Sequence, residues 1–314
     1  MADGLVEELR ATCEGAVSAQ ADLSAHTTLR VGGPARVLVE AQSDQDLAAV
    51  GRACRDHGVP WLVVGRGSNL LVSDRGWNGV AVILGRGLRG FEVAGITVTL
   101  GAAEKLPVAA VRVANEGLSG FAWAAAVPGS VGGAVRMNAG AHGSDMRDVL
   151  VEVDLFRLRT GVRETWPVDT LGLTYRHSEL PDDAVVVSAT IRLVRADAQT
   201  IRAEIDEIKQ WRRDHQPINE PNCGSVFTNP EGDSAGRLVD DVGGKGSAVG
   251  GARVSELHAN FIVTEPGATA SDVRALIGRL RQAVADEHGV WLRPEVVMVG
   301  QFDDDGPGTG LEGS

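Results

Sequence analysis

Basic residues are scarce in this chain: 30 Lys and Arg stand against 42 Asp and Glu, giving a formal net charge of −12. That balance excludes a general nucleic-acid binder, which neutralises phosphates with surplus cations. An anionic ligand has to be held by local basic residues, glycine-loop amides or helix N-termini. Cysteine is scarce too. Cys13, Cys54 and Cys223 are odd in number and far apart, which excludes a disulfide framework and a clustered metal site; no metal is expected. No apolar run is long enough to span a bilayer. The opening Met1-Ala2-Asp3-Gly4 lacks the basic and apolar regions of a secretory leader. A cytoplasmic protein with no membrane insertion and no nucleic-acid partner is the expectation. A Walker A loop and the strand-to-helix G-x-G-x-x-G fingerprint are missing as well, which leaves a standard nicotinamide Rossmann site unsupported.

What is present is glycine, 40 residues in a chain of 314. The glycines cluster in loops and form no repeat, as expected of tight turns or close backbone approaches to a ligand. The length allows two or three domains with their own cores. The first twenty residues read as a short amphipathic helix on Leu5, Leu9 and Cys13. A strand over 35–41 follows, then a helix capped by Ser43 or Asp44 with Leu47, Val50 and Cys54 on one face. Trp61-Leu62-Val63-Val64 is a buried strand, and this β-α-β opening suggests an α+β or α/β domain. A helix over 106–116 is expected to bury parts of Val108, Val111 and Val113. Strands are expected near 149–156 and 184–194. A helix on Ile201, Ile205 and Ile208 carries Lys209, Arg212, Arg213 and His215 at its end. Thr269 or Ser271 caps a helix with Val273, Leu276, Ile277, Leu280 and Val284 on one stripe, ended by Gly289.

Three loops could let amides approach a pyrophosphate closely: Gly32-Gly33-Pro34, Gly65-Arg66-Gly67-Ser68-Asn69 and Pro128-Gly129-Ser130-Val131-Gly132-Gly133. Three residues in separate segments, Arg176, Ser225 and Glu295, suit a reaction that makes and protonates a carbanion beside a carboxylate. Each also has an ordinary reading: a surface arginine in an ion pair, a serine whose hydroxyl closes its own turn, and a solvated glutamate at a strand end. Cys223 reads as a small packing residue.

The motifs Thr27-Thr28-Leu29-Arg30-Val31-Gly32-Gly33-Pro34-Ala35, Gly65 to Leu71, Val127 to Gly143 with Met137-Asn138-Ala139-Gly140-Ala141, Tyr175-Arg176-x-Ser178, Gln216-Pro217, Gly224-Ser225-Val226-Phe227, Gly250-Gly251-Ala252, His258-Ala259-Asn260-Phe261 and Pro294-Glu295-Val296 occur in this order. Together they resemble the UDP-N-acetylenolpyruvoylglucosamine reductase family over nearly all of residues 20–300. The resemblance implies an α+β chain with a vanillyl-alcohol-oxidase-type FAD-binding region over 1–198, in subdomains of about 20–85 and 86–198. A substrate-binding domain over 199–300 and a disordered tail over 303–314 follow. The chain from Tyr175-Arg176 to Ser225 is short, which is similar to the family subtype without a tyrosine-bearing loop insertion.

The resemblance further implies non-covalent FAD, NADPH as co-substrate, and reduction of a UDP-sugar enolpyruvyl ether to UDP-N-acetylmuramate by a monomer. Arg176 would stabilise enolate-like charge, Ser225 would protonate C2, and Glu295 would assist the enol intermediate. Gly32, Gly33, Gly65 to Asn69, Pro128, Gly129, Ser130, Gly132, Gly133, Asn138 and Gly140 would hold the cofactor. Tyr175, His215, Asn229, Lys245 and His258 would face the substrate. His215 stands where the family usually has lysine, Thr228 where a charged residue is common, and Lys245 matches only partly. Two alternatives remain: another FAD-dependent oxidoreductase of the same fold, and a non-catalytic module that binds FAD or a nucleotide sugar.

Overall fold

The computed structural model describes residues 4–302; the segment 303–314, expected to be a disordered tail, lies outside the described residues. Helices and sheets mix along the chain in an α+β arrangement. Two compact units are formed. One lies within Met1–Ala19, Val37–Arg66 and Gly79–Trp211, the other within Gln20–Arg36, Gly67–Asn78 and Arg212–Ser314.

The first unit contains α1 (Gly4–Thr12), α2 (Asp44–Asp56), α3 (Leu106–Asn115) and α4 (Val131–Arg136). Ser43, in extended backbone, accepts from the Asp46 amide and starts α2, satisfying one of the donors a first turn leaves open. Leu47, Val50 and Cys54 of α2 are buried together. The buried face of α3 departs from expectation at Val108 alone; Val113 is buried and Val111 partly buried. It consists of Leu106, Ala109, Ala110, Val113 and Ala114, the i, i+3, i+4, i+7, i+8 stripe of a helix. Val108 falls off that stripe and is 47% exposed.

These helices pack with a five-stranded sheet in the order Val162–Pro167, Leu150–Arg157, Ala184–Arg192, Thr97–Gly101, Phe91–Ala94. All neighbours in it are antiparallel. A four-stranded sheet runs Val17–Asp22, Pro34–Ala41, Trp77–Leu84, Trp61–Val64. The strand Val17–Asp22 lies in the stretch read as helix to residue 20; α1 stops at Thr12. The helix α5 (Ala198–His215) buries Ile201, Ile205 and Ile208 in the core of the first unit, and the division between units falls inside it.

In the second unit, Ala248–Val249, Ala252–Val254 and Ile262–Thr264 make an antiparallel sheet, and Val297–Val299 pairs in parallel with Leu70–Val72. The helices α6 (Ala235–Asp241) and α7 (Ala270–His288) complete it. Thr269 and Asp272 cap α7 reciprocally, and Gly289 ends it at φ 68°. Asp74 adds acceptors for the amides of Ala270 at 2.7 Å and Ser271 at 2.9 Å. Val273, Leu276, Ile277, Leu280 and Val284 are all buried, each contributing about 1.5–3 kcal/mol of burial.

Candidate active site

In the second unit, Ser225 and Glu295 enter one strand-paired cluster. Glu295 donates its amide to Val226 O at 2.8 Å, and Thr228 donates to Arg293 O at 3.0 Å. These bonds flank an antiparallel bridge between Phe227 and Pro294. The other edge of Phe227 is held by a side chain. Asn260 Oδ1 accepts from Phe227 N at 2.9 Å and its Nδ2 donates to Phe227 O at 2.8 Å. Val226 N adds a 2.9 Å bond to Asn260 O. The Asn260 amide thus serves as the neighbouring strand that Phe227 lacks. Asn69 Nδ2 donates to Glu295 O at 2.9 Å, and Val297 N donates to Asn69 O at 3.1 Å.

The turn before Ser225 is not closed by Ser225. Gly224, at φ 76°, donates its amide to Asn222 Oδ1 at 2.9 Å, and Asn222 Nδ2 donates to Pro217 O and Glu220 O. Among the described residues, Ser225 Oγ makes no hydrogen bond. Asn222 therefore has the part that a turn serine ordinarily plays, and the Ser225 hydroxyl stays half-buried and unspent. Cys223 beside it is buried, and burial, reinforced by the Glu295 charge, pushes its thiol up to about 12. It is a packing residue, inert as a nucleophile.

The residues expected to face the substrate divide. His258 Nδ1 accepts from Asn260 N at 3.1 Å, so its ring takes part in seating Asn260. Burial, followed by the positive charges of Lys245 and His215, lowers the His258 pKa below 6.5; a neutral ring with an accepting Nδ1 carries its proton on Nε2. Lys245 Nζ is paired with Asp240 Oδ2 at 2.8 Å. Asn229 Oδ1 accepts from Ala235 N at 3.0 Å at the start of α6. His215 is exposed at the end of α5.

In the first unit, Arg176 stands at the tip of a two-residue hairpin. Thr174 and His177 exchange both backbone bonds at 3.1 Å, and Arg176 has φ 57°, a position where glycine or asparagine is usual. A bulky residue held there costs on the order of 1 kcal/mol. Its Nη2 donates to Gly140 O at 2.8 Å, and its guanidinium lies 5.0 Å from the exposed Tyr175 ring. Ser178 Oγ donates to Arg136 O at 2.6 Å, which ties the hairpin to α4. Asn138, expected to touch a cofactor, is fully buried, and its side chain bonds to Asp145, Thr174 and Arg147. Its hydrogen-bonding capacity is turned inward.

The glycine loops differ in what their amides do. Gly33 donates to Ser73 O, Val131 to Glu104 O and Gly132 to Ala102 O, while Gly133 donates to Ser130 Oγ. These four amides are committed within the protein. In the first unit a Cβ on Gly65 would stand 2.7 Å from Ser130 Oγ, so a side chain there would push aside the hydroxyl that accepts from Gly133 N. Among the described residues, the amides of Arg66, Gly129 and Ser130 donate no hydrogen bond; in the second unit the same holds for Gly67, Ser68 and Asn69. Consecutive amides without acceptors suit the pyrophosphate of a dinucleotide. Gly32, at φ 115°, lies close against Val72, where a Cβ would stand 2.8 Å from the Val72 carbonyl oxygen. Among the described residues there is no cluster of His, Cys, Asp and Glu that could hold a metal.

Residues 35–165 match a family model described as an FAD binding domain, and residues 216–299 match one described as the UDP-N-acetylenolpyruvoylglucosamine reductase C-terminal domain. The UDP-N-acetylenolpyruvoylglucosamine reductase of Bacillus licheniformis is 40% identical over 301 residues, covering 95% of this chain and 99% of that protein. The Bacillus subtilis protein of the same name is 39% identical over 94% of this chain and 98% of its own length. The crystal structure of UDP-N-acetylenolpyruvylglucosamine reductase from Thermus caldophilus matches with a TM-score of 0.76 at 34% identity, covering 91% of this chain and 98% of that one.

Proposed function

The chain belongs to the UDP-N-acetylenolpyruvoylglucosamine reductase family, and from that premise we propose that Arg176, Ser225 and Glu295 are the groups with which it handles its enolpyruvyl substrate. It is an FAD-dependent oxidoreductase that reduces UDP-N-acetyl-3-O-(1-carboxyvinyl)-glucosamine to UDP-N-acetylmuramate, a peptidoglycan precursor, with NADPH as reductant. Under this reading it works in the cytoplasm as a monomer, and its short 176–225 segment is that of the subtype without the tyrosine loop. No helix among the described residues is long and apolar enough to cross a membrane.

The residues present fit FAD. In the first unit the unspent amides of Arg66, Gly129 and Ser130 would take its pyrophosphate, in turns that Gly65 and its close approach to Ser130 keep tight; those of Gly67, Ser68 and Asn69 are the candidates in the second unit. When bound, FAD supplies the redox chemistry, accepting hydride from NADPH and delivering it to the enolpyruvyl methylene carbon.

The protein handles what that delivery leaves behind. Negative charge develops at C2 of the substrate and spreads into the adjoining carboxylate. The Arg176 guanidinium, preset by its bond to Gly140 O, stabilises that added charge more than the ground state, which is how a fixed cation lowers a barrier. Ser225 Oγ gives C2 its proton. A serine is a weak acid, but an enolate carbon is a strong base, so no pKa-tuned carboxylic acid is required. Glu295, fastened to the same segment through Val226, assists the enol species and the return of the serine proton. Asn229, His215, Lys245 and His258 of the second unit, and Tyr175 of the first, are the groups assigned to binding the nucleotide sugar. The observation that carries the reading is the turn at 222–224: Asn222 closes it, so Ser225 has no structural employment for its hydroxyl.

The test is a spectrum of the purified protein. It should be yellow, bleach on anaerobic addition of NADPH, and regain colour with the enolpyruvyl substrate. Precipitation should release the colour into the supernatant, as expected of non-covalent FAD. Bleaching without return of colour would make the protein another oxidoreductase of the same fold, and a colourless protein would make it a binding module.

A further inference from the structure

We propose that Asn138 is a positioning residue for Arg176, setting where the guanidinium stands without itself touching substrate or cofactor. This rests on the role given to Arg176 above. Asn138 is 0% exposed and sits at φ 39°, left-handed backbone that asparagine tolerates better than other side-chain-bearing residues. Its amide group is used on both ends. Nδ2 donates to Thr174 O at 2.9 Å and to Asp145 Oδ2 at 3.0 Å, and Oδ1 accepts from Arg147 N at 3.0 Å.

Thr174 O is the key acceptor. The same carbonyl receives His177 N at 3.1 Å, the bond that closes the hairpin on which Arg176 is carried. Asn138 thus fixes the foot of that hairpin. Two residues further on, Gly140 O receives Arg176 Nη2 at 2.8 Å and fixes its head. One short segment, 138–140, holds the arginine at the backbone and at the guanidinium. Asp145 completes the device. Paired in antiparallel register with Gly140, it orients the Asn138 amide so that the donor points at Thr174. With the backbone of Arg176 in a conformation that side chains rarely adopt, the hairpin needs such an external brace to keep it.

Neither aspartate nor glycine performs this. Aspartate has the shape but no donor, and would set an oxygen against Thr174 O and the Asp145 carboxylate. Glycine accepts the backbone angle and removes the brace alone. A guanidinium displaced by roughly 1 Å from its productive place costs on the order of a hundred-fold in rate.

The experiment is a double-mutant cycle on the flavin-loaded enzyme, built from Asn138→Gly, Arg176→Ala and the pair. Reduction by NADPH and reoxidation by the enolpyruvyl substrate are timed separately. Asn138→Gly should slow reoxidation by about ten- to a hundred-fold, with reduction by NADPH and flavin content unchanged. In the Arg176→Ala background the same change should alter reoxidation by less than about three-fold, because a residue that acts through another has nothing left to act on. Equal, independent losses in both backgrounds would overturn the positioning role while leaving Arg176 in place. A harmless Arg176→Ala would instead sink the reading on which it rests. Asn138→Asp, which keeps the volume, is run in parallel with the same expectation. Loss of flavin in both variants would also overturn the proposal, since Asn138 would then be a scaffold residue.

Discussion

Replacing Asn260 by alanine removes the strut that holds the Ser225 segment, and its cost follows from the bonds it breaks. Asn260 is 4% exposed and Phe227 is 1% exposed. The change deletes both side-chain bonds to Phe227, and water cannot easily replace them at that depth. Each buried backbone group left without a partner costs about 1–3 kcal/mol, so two cost roughly 2–5 kcal/mol after partial relaxation. At about 2–4 °C per kcal/mol for domains of this size, the melting temperature should drop by about 5–15 °C. Urea unfolding followed by fluorescence reads the change as a shift in midpoint at constant slope. Asn260→Asp keeps the acceptor for Phe227 N but sets an oxygen against Phe227 O, so it should be no less damaging at neutral pH. A loss below about 0.5 kcal/mol in the alanine variant, the size of an ordinary surface change, would refute the account of this strut.

Two further predictions concern titrating groups. Burial pushes the Cys54 and Cys223 thiols up to about 12, and burial together with the Asp46 charge pushes Cys13 up to about 11; alkylating reagents at pH 8 should leave all three intact in the folded protein and modify all three in denaturant, and rapid native labelling of Cys223 would contradict its packing role. Burial favours the neutral form of Asp183, but the Arg157 guanidinium at 2.6 Å and the Arg159 amide outweigh it and hold the carboxyl below its ordinary 3.8. A depressed carboxyl contributes stability that is complete above the ordinary value and is lost as pH falls through the lower folded value. Asp183→Asn should therefore lower stability at pH 7 and flatten its decline below about pH 4; an unchanged acid limb would refute the pairing.

Helix starts were legible because a cap is a local event. Ser43 and Thr269 precede their periodic stripes directly, and each bonds an amide three residues on. Val108 of α3 misled because a β-branched residue suggests a core, whereas the 3.6-residue period puts Leu106, Ala109, Ala110, Val113 and Ala114 on one side and leaves Val108 off it. The strand Val162–Pro167 is an edge strand with charged Arg163 and Glu164, and its neighbour, not its own pattern, makes it a strand. The helix α6 spans 7 residues, too few to show a period. The site residues stood out as motifs, but the division of labour within a motif did not. In His258-Ala259-Asn260-Phe261 the histidine drew the chemical expectation, while the asparagine holds a strand 33 residues away. In Asn222-Cys223-Gly224-Ser225 only the folded turn shows that Asn222 frees the serine. Asn138 and Arg176 are read as adjoining only once the hairpin is seen, because their partners, Thr174 O and Gly140 O, are backbone atoms that carry no sequence signal.

The central claim is that Ser225 protonates the substrate, and stopped-flow spectroscopy of Ser225→Ala tests it most directly. Bleaching by NADPH needs no proton at C2 and should proceed at a near-normal rate with full flavin content. Return of colour on adding the enolpyruvyl substrate should slow by at least about a hundred-fold, the scale of a lost proton donor in general acid catalysis. Equal slowing of both phases, or return of colour at the wild-type rate, would contradict the account.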